Sequence, residues 1–487
     1  MDRNITQIME EIGEQVSHFI RNYVIPIIQE FFYTVSRGID GIVEVLSSKN
    51  HSYKAEFITY DEILMKSNRG FCLDGRNCLA RSEPNVLVCA PSGAGKSTVI
   101  SIPSLLKIDG SVICNDPSME QYHKTAGYLI SKGYNVEVLN FAQITNTFYN
   151  PISQIHNTAD AQKIAGMLVR NVLQNPGDPF WNLSATNLIA LSIRILLRHE
   201  KQYRNFANVR HLIQLLTFEP KSVDALVAQT NAQDIIADYK SFIAQDTKLR
   251  TSIIATAMSA LQIFADPIVA KVTSKDTLDL ESIRKRKTVI FIHSSTSDMK
   301  YYSTLISIFF EQTTKVIMSK LPEKEDNYVF FILDELSSMY LPSLEIVIAN
   351  IRKYKGSLLC ILQSFQQLIN IYGREQANAI RMNCFAKVYM AGLDHTTASE
   401  LSQQLGKYEW IDEETGKKHI RELATPDEVR MLPRDKAILI CGNYNPMKLT
   451  LTPYYNNPFL KLRTEIPIPY TNTAIDETPV ELITNDE

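Results

Sequence analysis

The chain has 487 residues, 21% of them charged and 45% hydrophobic, and carries a net charge of −3. That length holds two or three domains with a large core, and the charge excludes a uniformly polybasic nucleic-acid binder, so any such contact needs a local patch. Its 7 cysteines are scattered, several inside apolar runs, which fits buried thiols in a reducing compartment better than a disulfide framework or a zinc site.

Residues 1–50 read as an N-terminal amphipathic helical segment. Ile5, Met9, Ile12, Val16, Phe19 and Tyr23 alternate steps of four and three, and Ile28, Phe31, Val35, Ile39, Ile42 and Leu46 form a second stripe after Pro26. Pro26 kinks or splits the two. Arg21, Glu30, Arg37 and Asp40 interrupt them, so no run approaches the roughly 20 apolar residues of a spanning helix, and no signal peptide is visible. The expectation is a cytoplasmic chain whose first segment packs on itself or docks on a partner.

Residues 51–154 read as the first part of a nucleotide-binding domain. Val86-Leu87-Val88-Cys89 is a short apolar strand, followed by Ala90-Pro91-Ser92-Gly93-Ala94-Gly95-Lys96-Ser97-Thr98 and then a helix start. Strand, small-residue loop, Lys-Ser and helix is the layout of a phosphate-binding loop. Gly93 and Gly95 let successive N–H groups turn inward on a polyphosphate, and the helix start adds partial positive charge. Ser92 to Thr98 form the cradle, Lys96 reaches the β- and γ-phosphates of ATP, and Ser97 holds Mg2+. Ala90 stands where the general motif has glycine. Strands are expected at 111–115 and 136–140, and their alternation with helices predicts an α/β fold with a mostly parallel sheet. Asp116, at the end of the second strand, is either a partner of the nucleotide site or the cap of the next helix.

From 155 to 286 helical periodicity replaces strand signals, which predicts an inserted all-α domain. Sheet signals resume in 287–464, at 288–293, 329–333, 358–362, 387–391 and 437–441. The segment 465–487 is acidic, proline-containing and without lysine or arginine, so a flexible tail is expected.

Val329-Phe330-Phe331-Ile332-Leu333 runs into Asp334-Glu335. Beside a phosphate loop, such a strand delivers Asp334 to Mg2+ and leaves Glu335 to polarise the attacking water. The strand at 358–362 ends in Gln363, whose amide can hydrogen-bond the γ-phosphate or the water, or be satisfied by backbone. Arg352 lies between these strands and reads either as an arginine finger offered to a neighbouring subunit or as part of a solvated basic face. Arg284-Lys285-Arg286-Lys287 is the densest basic run and a candidate DNA surface.

Several runs in one order resemble the type IV secretion coupling proteins, the ATPases of conjugative DNA transfer and effector export. They are 85–97, Asp116-Pro117, Tyr149-Asn150-Pro151, Asp178-Pro179-Phe180-Trp181, Leu333-Asp334-Glu335, Ile361-Leu362-Gln363-Ser364, Asn383-Cys384, and Thr425-Pro426-Asp427-Glu428-Val429 followed by Leu432-Pro433. The resemblance implies a RecA-like P-loop motor with an all-α insertion, assembling as a homo-hexamer and monomeric when isolated. It implies ATP and Mg2+ as cofactors, a relaxase–DNA complex or protein effector as substrate, DNA bound without sequence preference, and membrane channel subunits as partners. Such proteins usually begin with two membrane helices; residues 1–47 offer none, so attachment to the inner face of the membrane is expected through a partner. Ser118 and Leu336 stand where the pattern often has lysine and an aromatic. Two rival functions share much of this layout: a DNA-pumping segregation translocase, and an ATP-dependent docking platform that does not pump. The helical insertion and the 178–181 run favour the coupling protein.

Overall fold

The computed structural model describes residues 53–59, 63–83, 85–172, 179–295, 297–412, 414, 416–470, 476 and 478–484. The apolar stripes of 1–47 therefore lie outside the described residues. The chain divides into two compact units, Phe57–Leu401 with Pro426–Glu487, and Met1–Glu56 with Ser402–Thr425.

The larger unit is built on a nine-stranded sheet. Its strands are β1 (Val86–Cys89), β2 (Ser111–Asn115), β3 (Asn135–Asn140), β4 (Thr288–His293), β5 (Val329–Leu333), β6 (Gly356–Leu362) and β7 (Ala386–Met390). The smaller unit contributes β8 (Lys407–Ile411) and β9 (Lys418–Glu422), and the larger resumes with β10 (Lys436–Cys441) and β11 (Met447–Thr450). The order across the sheet is β11-β10-β7-β1-β6-β5-β2-β4-β3. From β7 to β3 every pairing is parallel, and β10 and β11 close the far edge antiparallel.

Continuous apolar runs form the central strands because helices cover both faces of a parallel sheet. The pleat sends alternate residues into two cores. Phe331 and Leu333 of β5 join one with Leu87 and Ile113. Phe330 and Ile332 join the other with Val86, Val88 and Val112. The first core continues into the helical insertion, where Phe206 stacks on Phe264 at 4.7 Å.

The insertion leaves the sheet between two strands that pair with each other, β3 and β4. Asn150 pins the exit: its side chain caps the turn Pro151–Gln154 and donates to the Arg204 carbonyl at 2.7 Å, while Tyr149 packs edge-on against Phe309. Helices Thr158–Val172, Pro179–Leu196, Phe206–Phe218, Pro220–Gln229, Gln233–Ile243, Thr247–Ala260 and Pro267–Val272 follow.

Two expectations change. The acidic tail is docked where it is described, rather than flexible. Ile483 is 2% exposed against the insertion, its N–H donates to Asn208, and Asp476 pairs with Lys271 and Lys275. Composition suggested solvation; among the described residues Ile483 is buried and Asp476 faces two lysines instead. The β8–β9 hairpin and β11 were not expected: β8 and β9 interleave charged residues with Tyr408, Trp410 and Ile420 and are largely solvent-facing, and β11 is an edge strand with only Met447 and Leu449 buried.

Candidate functional site

The pairing Cys89↔Leu362 sets the start of the 90–98 loop beside Gln363, and Asn115↔Leu333 sets the end of β2 beside Asp334. All four chain segments leave the sheet at its carboxyl edge, where ligands of open parallel sheets collect. Ala90 donates its N–H to the Leu362 carbonyl, tying the loop to β6.

Gly93 and Gly95 have φ of +77° and +87°, the left-handed region that favours glycine. A Cβ at Gly93 would meet nothing within 4 Å, so the requirement there is conformational and not one of space. Lys96 opens a wide, π-helical turn, Ser97–Ser101, that continues into the helix Ile102–Leu105, and its ammonium folds back on the Ala90 carbonyl at 3.3 Å. Thr98 spends its hydroxyl on the Gly95 carbonyl.

Asp334 and Glu335 leave β5 in different ways. Gln121 donates to the Asp334 carboxylate at 3.0 Å and Asn115 to its carbonyl at 2.9 Å. Burial pushes the Asp334 carboxyl up to about 6, reinforced by Asp116, Glu335 and Glu120 and opposed by Lys96. Glu335 adopts φ +63°, rare for a non-glycine residue. Its carboxylate accepts from Gln363 at 2.9 Å and from the Ser337 hydroxyl. Gln363 is itself fixed by Gln367, which accepts from its backbone N–H within a capping box.

Asp116 is fully buried and caps the helix Glu120–Ser131 by accepting from the Tyr122 N–H at 2.8 Å. Its other oxygen is buried without a partner among the described residues, and burial raises its pKa. It acts on the site through its charge. Arg352 is not gathered in. It lies in the turn Ile351–Tyr354 before β6, at the amino edge of the sheet and a strand length from the loop, exposed and with no side-chain partner among the described residues.

Gln121, Asn115 and Ser337 escaped sequence reasoning. Each matters only because strand register brings it to Asp334 or Glu335, and no spacing in the chain announces that. In the Arg284–Lys287 run Lys285 pairs with Glu323 and Asp326, Lys287 with Asp109, and Arg284 donates to two backbone carbonyls, while Arg286 is exposed.

The family model for type IV secretory system conjugative DNA transfer matches residues 42–477. The chain belongs to that family. This coupling-protein relative is 25% identical over 404 residues to protein VirD4 of Agrobacterium fabrum, covering 78% of this chain and 60% of that one. It is 23% identical over 404 residues to the conjugal transfer protein TraG of the same organism, covering 77% and 60%. The chain thus spans about three-fifths of the length of the curated relatives it matches. The bacterial conjugative coupling protein TrwBdeltaN70 superposes with a TM-score of 0.64 at 20% identity, over 82% of this chain and 94% of that one. The plasmid coupling protein TrwB in complex with ADP and Mg2+ gives 0.63 at 21%, over 82% and 95%. The likeness is one of fold, the RecA-like P-loop architecture. No helix among the described residues is long and apolar enough to cross a membrane.

Proposed function

We propose that the chain is a Mg2+-dependent ATPase that recruits a relaxase–DNA complex or a protein substrate to a type IV secretion channel and powers its transfer. One observation carries the reading: the glycine loop, Asp334, Glu335 and Gln363 converge at one edge of the sheet, with Gln363 hydrogen-bonded to Glu335. The residues fit Mg2+ and ATP. Ser97 and Asp334 are hard oxygen donors, and the described residues include no cluster of three or more acidic, histidine or cysteine ligands, so a cation here depends on phosphate oxygens as Mg2+ sites usually do. TrwB, which binds ADP and Mg2+, supports the same choice.

Bound ATP with Mg2+ supplies the phosphoryl group that water attacks. Ser92 to Thr98 cradle the phosphates, and Lys96 exchanges the Ala90 carbonyl for phosphate oxygens. Ser97 and Asp334 hold the metal. Glu335 orients the water and receives its proton, while Gln363 and Ser337 fix the carboxylate. Because Gln363 donates to Glu335 and follows the strand residue paired with Cys89, just before the loop, it is suited to sense the γ-phosphate. Arg352 serves a neighbouring subunit's site in a homo-hexamer.

Glu335→Gln should keep ATP binding and lose hydrolysis by about 100-fold or more, whereas Lys96→Ala should lose binding itself. Nucleotide affinity and single-turnover rates separate the two, and wild-type hydrolysis by Glu335→Gln would remove Glu335 from its role.

A further inference from the structure

Of the 7 cysteines, all free and buried, Cys72 and Cys78 alone face each other across a backbone pairing among the described residues. The Leu73 N–H donates to the Asn77 carbonyl at 3.2 Å and the Leu79 N–H to the Phe71 carbonyl at 2.9 Å. These bonds flank the two cysteines and leave them a non-hydrogen-bonded antiparallel pair. Residues so placed have Cα atoms about 4.5 Å apart and side chains on one face. A disulfide spans Cα separations of about 4.4–6.8 Å, so the pair is within bonding reach, at the short end of that range. Cys89, Cys114, Cys360 and Cys441 face other residue types across their strands.

The two thiols are also unlike the rest electrostatically. Burial pushes Cys72 up, and the Cys78 thiol beside it adds to the rise. Cys78 is instead held below the ordinary thiol value by the Cys72 thiol, with Lys107 and Arg69 assisting and burial and Asp74 opposing. Burial pushes Cys89, Cys384 and Cys441 up to about 12. The turn between the paired cysteines reaches the surface: Arg76 is exposed and Asn77 half-buried, and Asp74 holds the turn by accepting from both of their backbone N–H groups. Opening that turn admits a small oxidant to Cys78.

The pair packs against the helix that follows the phosphate loop. The Cys72 N–H donates to the Ser104 hydroxyl at 2.9 Å, and Ser104 is fully buried in Ile102–Leu105. Lys107, just past that helix, donates to the Arg76 carbonyl. With its nucleotide readout resting on the ATPase reading above, we propose that Cys72 and Cys78 form a reversible disulfide whose closure weakens ATP binding. Hydrogen peroxide serves as oxidant. The Cys78 sulfur attacks one peroxide oxygen, the O–O bond breaks and water leaves, giving a sulfenic acid. The Cys72 sulfur then attacks the Cys78 sulfur, the S–O bond breaks, and the hydroxyl leaves with the Cys72 proton as a second water. Two thiols are oxidised to one disulfide and one peroxide is reduced to two waters. A dithiol reopens the bond by exchange. Disulfides most often span about 5.5–6 Å between Cα atoms, wider than this pairing, so closure spreads the two strands and shifts Cys72 against Ser104.

Mass spectrometry of the wild-type full chain reads the bond directly. Trypsin cuts after Arg69, Arg76 and Arg81, which puts the two cysteines in separate peptides. After hydrogen peroxide, alkylation in denaturant and digestion, residues 70–76 should appear joined to 77–81, with the other cysteines alkylated, and dithiothreitol should abolish the joined species. Oxidised wild type should bind ATP about 2- to 10-fold more weakly, the worth of one hydrogen bond, and reduction should restore it. Cys72→Ser and Cys78→Ala should bind ATP equally with and without peroxide. Alkylated Cys72 and Cys78 after peroxide, or joined peptides with unchanged ATP affinity, overturn the proposal. So does a peroxide-induced loss of affinity that persists in Cys72→Ser. A reduced wild type that binds no ATP overturns the ATPase reading instead, while the joined peptides still report on the dithiol.

Discussion

Without nucleotide, the Asp334 carboxyl is held near 6 by burial and by its acidic neighbours, against an ordinary value of 3.8. Between about pH 4 and 6 the folded chain keeps a proton that the unfolded chain has released. Stability from this group is therefore full in acid and falls as pH rises through 6, by about 3 kcal/mol. Asp334→Asn should remove that fall: urea unfolding of the nucleotide-free protein should show the variant more stable than wild type at pH 7.5 and close to it at pH 4, with Mg2+-dependent hydrolysis lost. Equal pH profiles would show that Asp334 is not the strained group. At this scale Lys96, Ser97, Asp334, Glu335 and Gln363 were legible because each sits directly after an apolar strand or inside a recognisable loop. Gln121, which donates to Asp334 from the helix after β2, was not, since its role exists only once β2 lies beside β5.

The glycine loop shows how an element can demand a residue type without demanding room. Alanine at Gly93 would touch nothing and at Gly95 would meet Thr98 Oγ1 at 3.3 Å, yet both positions are left-handed. Each Gly→Ala change should therefore cost about 1–2 kcal/mol through backbone strain alone, with similar falls in melting temperature at the two sites. A much larger fall at Gly95 would mean that crowding, not conformation, sets the requirement there. Each strand expected from an apolar run was found, and the central β5 and β6 are buried along their whole length, which writes a parallel strand as a nearly unbroken hydrophobic run. The β8–β9 hairpin was missed because its apolar residues, Tyr408, Trp410, Ile411 and Ile420, are few, interleaved with charged ones and mostly exposed, so no buried face is written into the pattern. Asp116 shows the limit of element-level reading, for the capping role and the electrostatic one are both present in the same side chain.

For the molecule as a whole, Arg352 at the amino edge of β6 has no side-chain partner among the described residues, and a role in hydrolysis requires a second copy. Arg352→Ala should bind ATP normally and lose turnover, and mixing it with Glu335→Gln subunits should restore part of the rate. Turnover per subunit that is independent of concentration, in a protein that stays monomeric, would exclude action across a subunit boundary. A separate consequence follows from the sheet order. β3 and β4 are hydrogen-bonded neighbours, Asn135 opposite Thr288, yet the entire helical insertion is strung between them. Closing so long an excursion as slack chain carries an entropic cost that a pre-folded insertion avoids, since its two ends already emerge together at Asn150 and Ser274. The insertion should thus set the tempo at which the edge of the sheet zips. Phe206→Leu, which loosens the stack on Phe264 far from any strand, should slow the burial of Tyr134 beside β3 in stopped-flow refolding, and an unchanged rate would mean that the sheet assembles first and the insertion condenses onto it.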